Sequence, residues 1–82
     1  MTSAFDYQAP AELFHPLRMG RGAPVAFQRF ATTAEAIKFA IESLPPQLLH
    51  GAVIEVSDER LDSAGMRELY DHASFPLGRR VG

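Results

Sequence analysis

The chain has 82 residues and a mass of 9.0 kDa, which leaves room for one small domain. Hydrophobic residues make up 46% and charged residues 22%, a globular balance that argues against wholesale disorder or a fibrous repeat. There is no cysteine, which excludes a disulfide framework, a thiolate zinc site, an iron–sulfur centre and a cysteine nucleophile, and the formal charge of −2 is too near neutral to imply a polyanionic partner for the whole chain.

The first residues carry Asp6 and no basic stretch leading into an apolar one, so a signal peptide is not expected. The longest apolar runs fall far short of the ~20 residues of a membrane span. Residues 1–14 read as a flexible or loosely docked N-terminal lead-in. Phe5, Tyr7 and Phe14 follow no period of 2 or 3.6, and Pro10 can at most open one turn. A sharper reading has these aromatics docking on a partner or on the chain's own domain.

A single α/β domain is expected over 15–78, with 79–82 as a C-terminal tail. Residues 16–30 read as a β-hairpin: Leu17 and Met19 alternate with Arg18, Gly20 to Pro24 supply turn residues, and Val25 and Phe27 alternate with Ala26 and Gln28. Phe30 is out of phase with Val25 and Phe27 and either caps the far face of the sheet or marks a bulge. Residues 32–44 predict a helix. Thr32 stands at capping-box distance from Glu35 and Thr33 is a second N-cap candidate; Ala34, Ile37, Ala40, Ile41 and Leu44 form one stripe, and Pro45-Pro46 stops the helix. Phe39 lies almost opposite Ile37, which points to packing against the termini or to an intermolecular contact.

Ala52 to Val56 read as a central strand, and Asp62 or Ser63 opens a second helix with Met66, Leu69, Tyr70 and Ala73 on one face, ended by Pro76. The resulting order is β-β-α-β-α: a two-layer α/β (α+β) fold with a small three-stranded mixed sheet and two helices packed on one face. The helix joining the second and third strands implies a parallel pair. With Val25, Phe27, Ile54 and Val56 pointing inward, Ala26, Gln28, Val53 and Glu55 would occupy a bare outer face, either solvated or paired in a symmetric dimer.

Catalytic motifs are absent. Gly20-Arg21-Gly22 lacks the later glycine of a dinucleotide fingerprint and the helix that should follow it. His15, His50 and His72 share no ligand spacing and read as surface or loop histidines, so no metal or other cofactor is implied. The acids Glu55, Asp58, Glu59 and Asp62 lie where a strand gives way to a helix. Two carboxylates there can hold a hard cation, and acids there also cap a helix. Ser57, Ser63 and Ser74 have no adjacent base. An enzyme is not expected.

Charge is uneven along the chain: Arg18, Arg21 and Arg29 lie in an acid-free stretch, residues 35–71 are acidic, and Arg79 and Arg80 end the chain. The basic hairpin, with Arg18, Arg21, Arg29 and Phe30, is therefore a candidate nucleic-acid surface, since sheet aromatics flanked by arginine stack bases. Five arginines in two places give weak phosphate affinity at physiological salt.

Several stretches carry a resemblance: Arg29-Phe30 through Thr33, Glu35-Ala36-Ile37, Ile41-Glu42-Ser43-Leu44-Pro45, Glu55-Val56-Ser57-Asp58-Glu59-Arg60, and Leu69-Tyr70-Asp71 with Pro76-Leu77 and Arg79-Arg80. Across most of residues 25–80 the chain resembles a group of small conserved-hypothetical bacterial proteins of unknown function. The resemblance implies a bacterial, cytoplasmic setting and assigns no role to any residue. The leading expectation is a non-catalytic protein-interaction module that engages an unknown protein, or a second copy of itself as a homodimer, through Phe39, Phe5, Tyr7 and Phe14. A weak nucleic-acid-binding module using hairpin 17–30 is the alternative.

Overall fold

Burial alternates along Ala11–Pro16: Ala11, Leu13 and His15 are buried, and Glu12, Phe14 and Pro16 are not. In the computed structural model, which describes residues 5–78, this stretch is a central strand, β1 (Ala11–Pro16). It pairs on one side with β2 (Val25–Phe30) and on the other with β3 (Val53–Val56), and β4 (Glu59–Leu61) follows at the edge, so the order is β2-β1-β3-β4. All three pairings are antiparallel. With the helices α1 (Thr33–Ser43), α2 (Pro46–Leu49) and α3 (Ser63–Asp71), the chain reads β-β-α-α-β-β-α. The class is α+β.

The expected three-stranded mixed sheet is corrected to a four-stranded antiparallel one. β2 and β3 are each antiparallel to β1, so they run in the same direction, as a helical crossover requires. They are not neighbours because β1 lies between them, and β1 comes from the segment expected as a lead-in. The hairpin accordingly spans residues 11–30 rather than 16–30, and Leu17 and Met19 fall in its connecting loop. There Gly20 and Gly22 adopt φ values of +110° and +75°, open to glycine at little cost.

Pairing with β1 also fixes the phase of β2. Phe30, Gln28 and Ala26 stand opposite Ala11, Leu13 and His15 on the helix-covered face, and Val25, Phe27 and Arg29 stand on the other. The expectation that Val25 and Phe27 point inward is therefore reversed, while Ile54 and Val56 do point inward and are buried. Phe30 is in phase with the core and marks no bulge.

The helices follow their local signals. Thr32 caps α1, its Oγ1 accepting from the Glu35 amide at 3.1 Å. The next orphan donors are met by the lead-in: the Thr33 amide donates to Ala9 O at 2.7 Å and the Ala34 amide to Tyr7 O at 2.9 Å. The Thr33 hydroxyl also donates to Ala9 O. Pro45 ends α1, and Pro46 starts the single turn of α2, where its missing N–H is not needed. Asp62 caps α3 by accepting from the Gly65 amide at 2.8 Å. α3 stops at Asp71, before the expected Pro76. His72 is extended, its Nδ1 accepts from the Ser74 amide, and the turn that follows folds Phe75 into the core, leaving Ala73 exposed.

Helices cover one sheet face only. Leu13, Ile54, Ile37 and Met66 are fully buried between the layers. At the rim, Tyr7 packs edge-on against Phe5 and Phe75, and its hydroxyl donates to Leu69 O at 3.1 Å, so the lead-in joins the far end of α3. His15 is buried, which corrects its reading as a surface or loop residue, whereas His50 and His72 are exposed. The Pro16 carbonyl can only accept, so His15 donates to it from Nδ1 at 3.0 Å and its Nε2 accepts from Gln28 Nε2 at 3.4 Å. The tail 79–82, with Arg79 and Arg80, lies outside the described residues.

Candidate interaction surface

The uncovered sheet face is ordered by the registers 12↔29, 14↔27 and 16↔25 between β1 and β2, and 12↔55 and 14↔53 between β1 and β3. These place Phe14 between Phe27 and Val53, with Pro16 and Val25 next along the strands. The Phe14 and Phe27 rings lie 5.2 Å apart at 43°. Phe27 is 51% exposed and Val25 64%, and at the end of the same hairpin Leu17 and Met19 are 55% and 62% exposed. Large apolar side chains concentrated at one end of one hairpin are the feature that singly exposed residues do not make.

The other end of this face is charged and internally neutral. Arg29 Nη2 lies 2.9 Å from Glu12 Oε2, with its guanidinium 5.9 Å from the Phe27 ring centre, and Arg60 Nε lies 3.5 Å from Glu55 Oε2. The face is thus an apolar end joined to a band of matched ion pairs.

The four aromatics expected to engage a partner separate into two groups. Phe5 and Tyr7 pack inside the chain, as above, and Phe39 stacks on Phe30 at 5.6 Å on the helix-covered face. The two aromatics that fit no local pattern are therefore each other's partners. Phe14 alone of the four stands on the open face. The surface residues missed in the sequence are Phe27 and Val25, assigned to the core because their alternation shows a strand but not which side of it is covered.

The nucleic-acid set is divided in the same way. Arg18 and Arg21 are exposed on the hairpin loop, Arg18 donating to the neighbouring Met19 carbonyl at 3.4 Å; Arg29 is paired with Glu12 across the outer face; Phe30 is on the opposite face. The acids are also dispersed. Glu55 faces Arg60, Asp62 caps α3, and Asp58 and Glu59 line an open cleft of about 440 Å³ with Asp6, Phe5, Ala9, Val56 and Ser57. Among the described residues no three His, Asp or Glu side chains come together as a metal site would require, and no helix is long and apolar enough to cross a membrane.

No protein-family model, curated protein or solved structure matches the chain.

Proposed function

We propose that this chain is a small non-catalytic protein-interaction module, working in a bacterial cytoplasm, that binds a protein partner through the open face of its sheet. One observation carries the reading: a sheet covered by helices on one side only exposes Phe27 and Val25 beside Phe14, while the charges on the same face are matched among themselves. Burying what these side chains still expose favours association by about half to two-thirds of the roughly 1.5–3 kcal/mol that burying such a side chain from full exposure is worth, and neutral ion pairs at the rim confer specificity without long-range attraction for polyanions. The absence of catalysis is part of the proposal: Glu55 is paired with Arg60 and Asp62 caps α3, which leaves Asp58 and Glu59 on an open cleft apart from them.

The test is retention of partners by the tagged protein, compared between wild type and Phe27→Ser with Phe14→Ser, with and without nuclease. Partners lost from the serine variants and indifferent to nuclease agree with the proposal. Partners that vanish with nuclease, and with Arg18→Ala and Arg21→Ala but not with the serine variants, favour the nucleic-acid alternative instead.

A further inference from the structure

The sheet has two edges, and they are protected unequally. β4 is three residues long, two of them the charged Glu59 and Arg60, which is how an edge strand resists further pairing. β2 has six residues, no proline, no lysine and no bulge, and among the described residues it pairs only with β1. The Leu17 amide donates to Pro24 O at 2.9 Å, so Leu17–Pro24 is a hydrogen-bonded pair. Alternation makes 15↔26, 13↔28 and 11↔30 the others. Val25, Phe27 and Arg29 therefore turn their N–H and C=O groups away from β1, to the free edge. Pro24 lacks an N–H only on the side facing β1, so it does not block that edge.

From this edge we propose that the partner is a second copy of the same chain, joined β2 to β2 in an antiparallel two-fold pairing centred on Phe27; this rests on the interaction reading above but places the contact at the sheet edge, where Val25, Phe27 and Arg29 lie, rather than across the open face. The pairing makes one eight-stranded sheet. It is the register that uses all three free positions of both copies: Phe27 meets Phe27, and Val25 meets Arg29. The outer faces then coincide, and Phe14, Phe27 and their equivalents form one aromatic strip across the axis. The two Arg29 side chains stand four residues apart, roughly 13 Å, beyond the screening length of about 8 Å at physiological salt. A shift that centres the pair on Arg29 sets the two guanidiniums directly opposite, and one that centres it on Val25 sets Arg29 against Arg21. Charge thus disfavours these two registers, and ladder length favours the one centred on Phe27 over the rest.

The test combines sedimentation of the intact chain across a concentration series with amide exchange. The expected mass rises from 9.0 kDa toward twice that value. In parallel the Val25, Phe27 and Arg29 amides gain at least about tenfold protection, while Ala26, Gln28 and Phe30, already bonded to β1, change little. Phe27→Lys sets two ammonium groups at the axis and returns the mass to that of one chain. Val25→Pro removes an amide that β1 does not use and weakens the dimer likewise, which guards against misfolding of the first variant. A dimer indifferent to both variants, or a monomer at every concentration with the three amides open, overturns the self-pairing. A monomer that still retains a foreign partner through Phe14 and Phe27 leaves the interaction reading standing. One whose serine variants retain the same partners as wild type removes both.

Discussion

The Glu42 side chain on α1 is only 10% exposed. It lies 3.1 Å from Lys38 Nζ and accepts from the Tyr70 hydroxyl, tying α1 to α3, while Lys38 also donates to Gly78 O near the end of the described chain. Glu42→Ala leaves the Tyr70 hydroxyl and the Lys38 ammonium without this partner and should cost about 1.5–3 kcal/mol in chemical denaturation. Glu42→Gln, which still accepts from Tyr70, should recover part of it. The Phe30–Phe39 pair gives a second prediction at this scale: a double-mutant cycle with leucine at both positions should show a coupling of about 0.5–1.5 kcal/mol in stability and no change in partner retention. Ser57 offers the opposite sign. It holds φ +52° in the two-residue turn between β3 and β4, where glycine is free of the Cβ penalty, so Ser57→Gly should raise the denaturation midpoint by an amount equivalent to about 0.5–1 kcal/mol.

At the scale of elements, the weight of the fold rests on β1. It pairs with β2 on one side, in the hairpin, and with β3 on the other, and Leu13 at its middle is fully buried opposite Gln28 and Ile54. Leu13→Ala should cost about 2–5 kcal/mol, comparable with the whole stability of about 3–5 kcal/mol that a core of this size supplies; circular dichroism should show a largely unfolded chain at 37 °C. A loosely docked lead-in would tolerate the same substitution with no visible effect. The segment before β1 is tied by polar groups as well as by packing. Ala9 and Tyr7 carbonyls accept the first two amides of α1, and the Tyr7 hydroxyl reaches Leu69 at the end of α3. Tyr7→Phe keeps the rings at Phe5 and Phe75 and removes only that hydroxyl, so its expected cost is nearer 1 kcal/mol.

For the molecule as a whole, the consequence of covering one sheet face is a second face whose chemistry is free for binding. Its charged end is self-neutralised, so association through Phe14, Phe27 and Val25 should respond weakly to salt: between about 50 and 500 mM the affinity should change less than about threefold. A phosphate-driven complex on Arg18 and Arg21 would lose far more over the same range, each neutralised phosphate adding close to one unit to the logarithmic salt slope. Calorimetry at several salt concentrations separates the two, and a negative heat-capacity change on binding would mark the apolar burial that the open face provides.

How far the fold was legible depends on the range of the interactions that make each element. α1 could be read from Thr32, Glu35 and the Ala34–Ile37–Ala40 stripe, and α3 from Asp62 with Met66 and Tyr70, because capping and the 3.6-residue period act within a turn or two of chain. β3 was legible as a short β-branched run. β1 was not. Its inner face includes the polar His15 and its outer face the apolar Phe14, so the alternation that marks a strand is cancelled in composition and restored only in burial. β4 has one apolar residue and exists through its turn and its pairing with β3. The candidate surface failed for a related reason: a period of two says that Val25 and Phe27 share a side, and pairing with β1, together with helices on one face, decides which side that is. By itself the sequence determined the small α+β class, the two capped helices and the absence of any cysteine chemistry, all local or compositional properties. The tertiary structure alone decided the strand order, the phase of β2 and the residues left exposed, because these depend on contacts between segments far apart in the chain, whose burial no local pattern encodes.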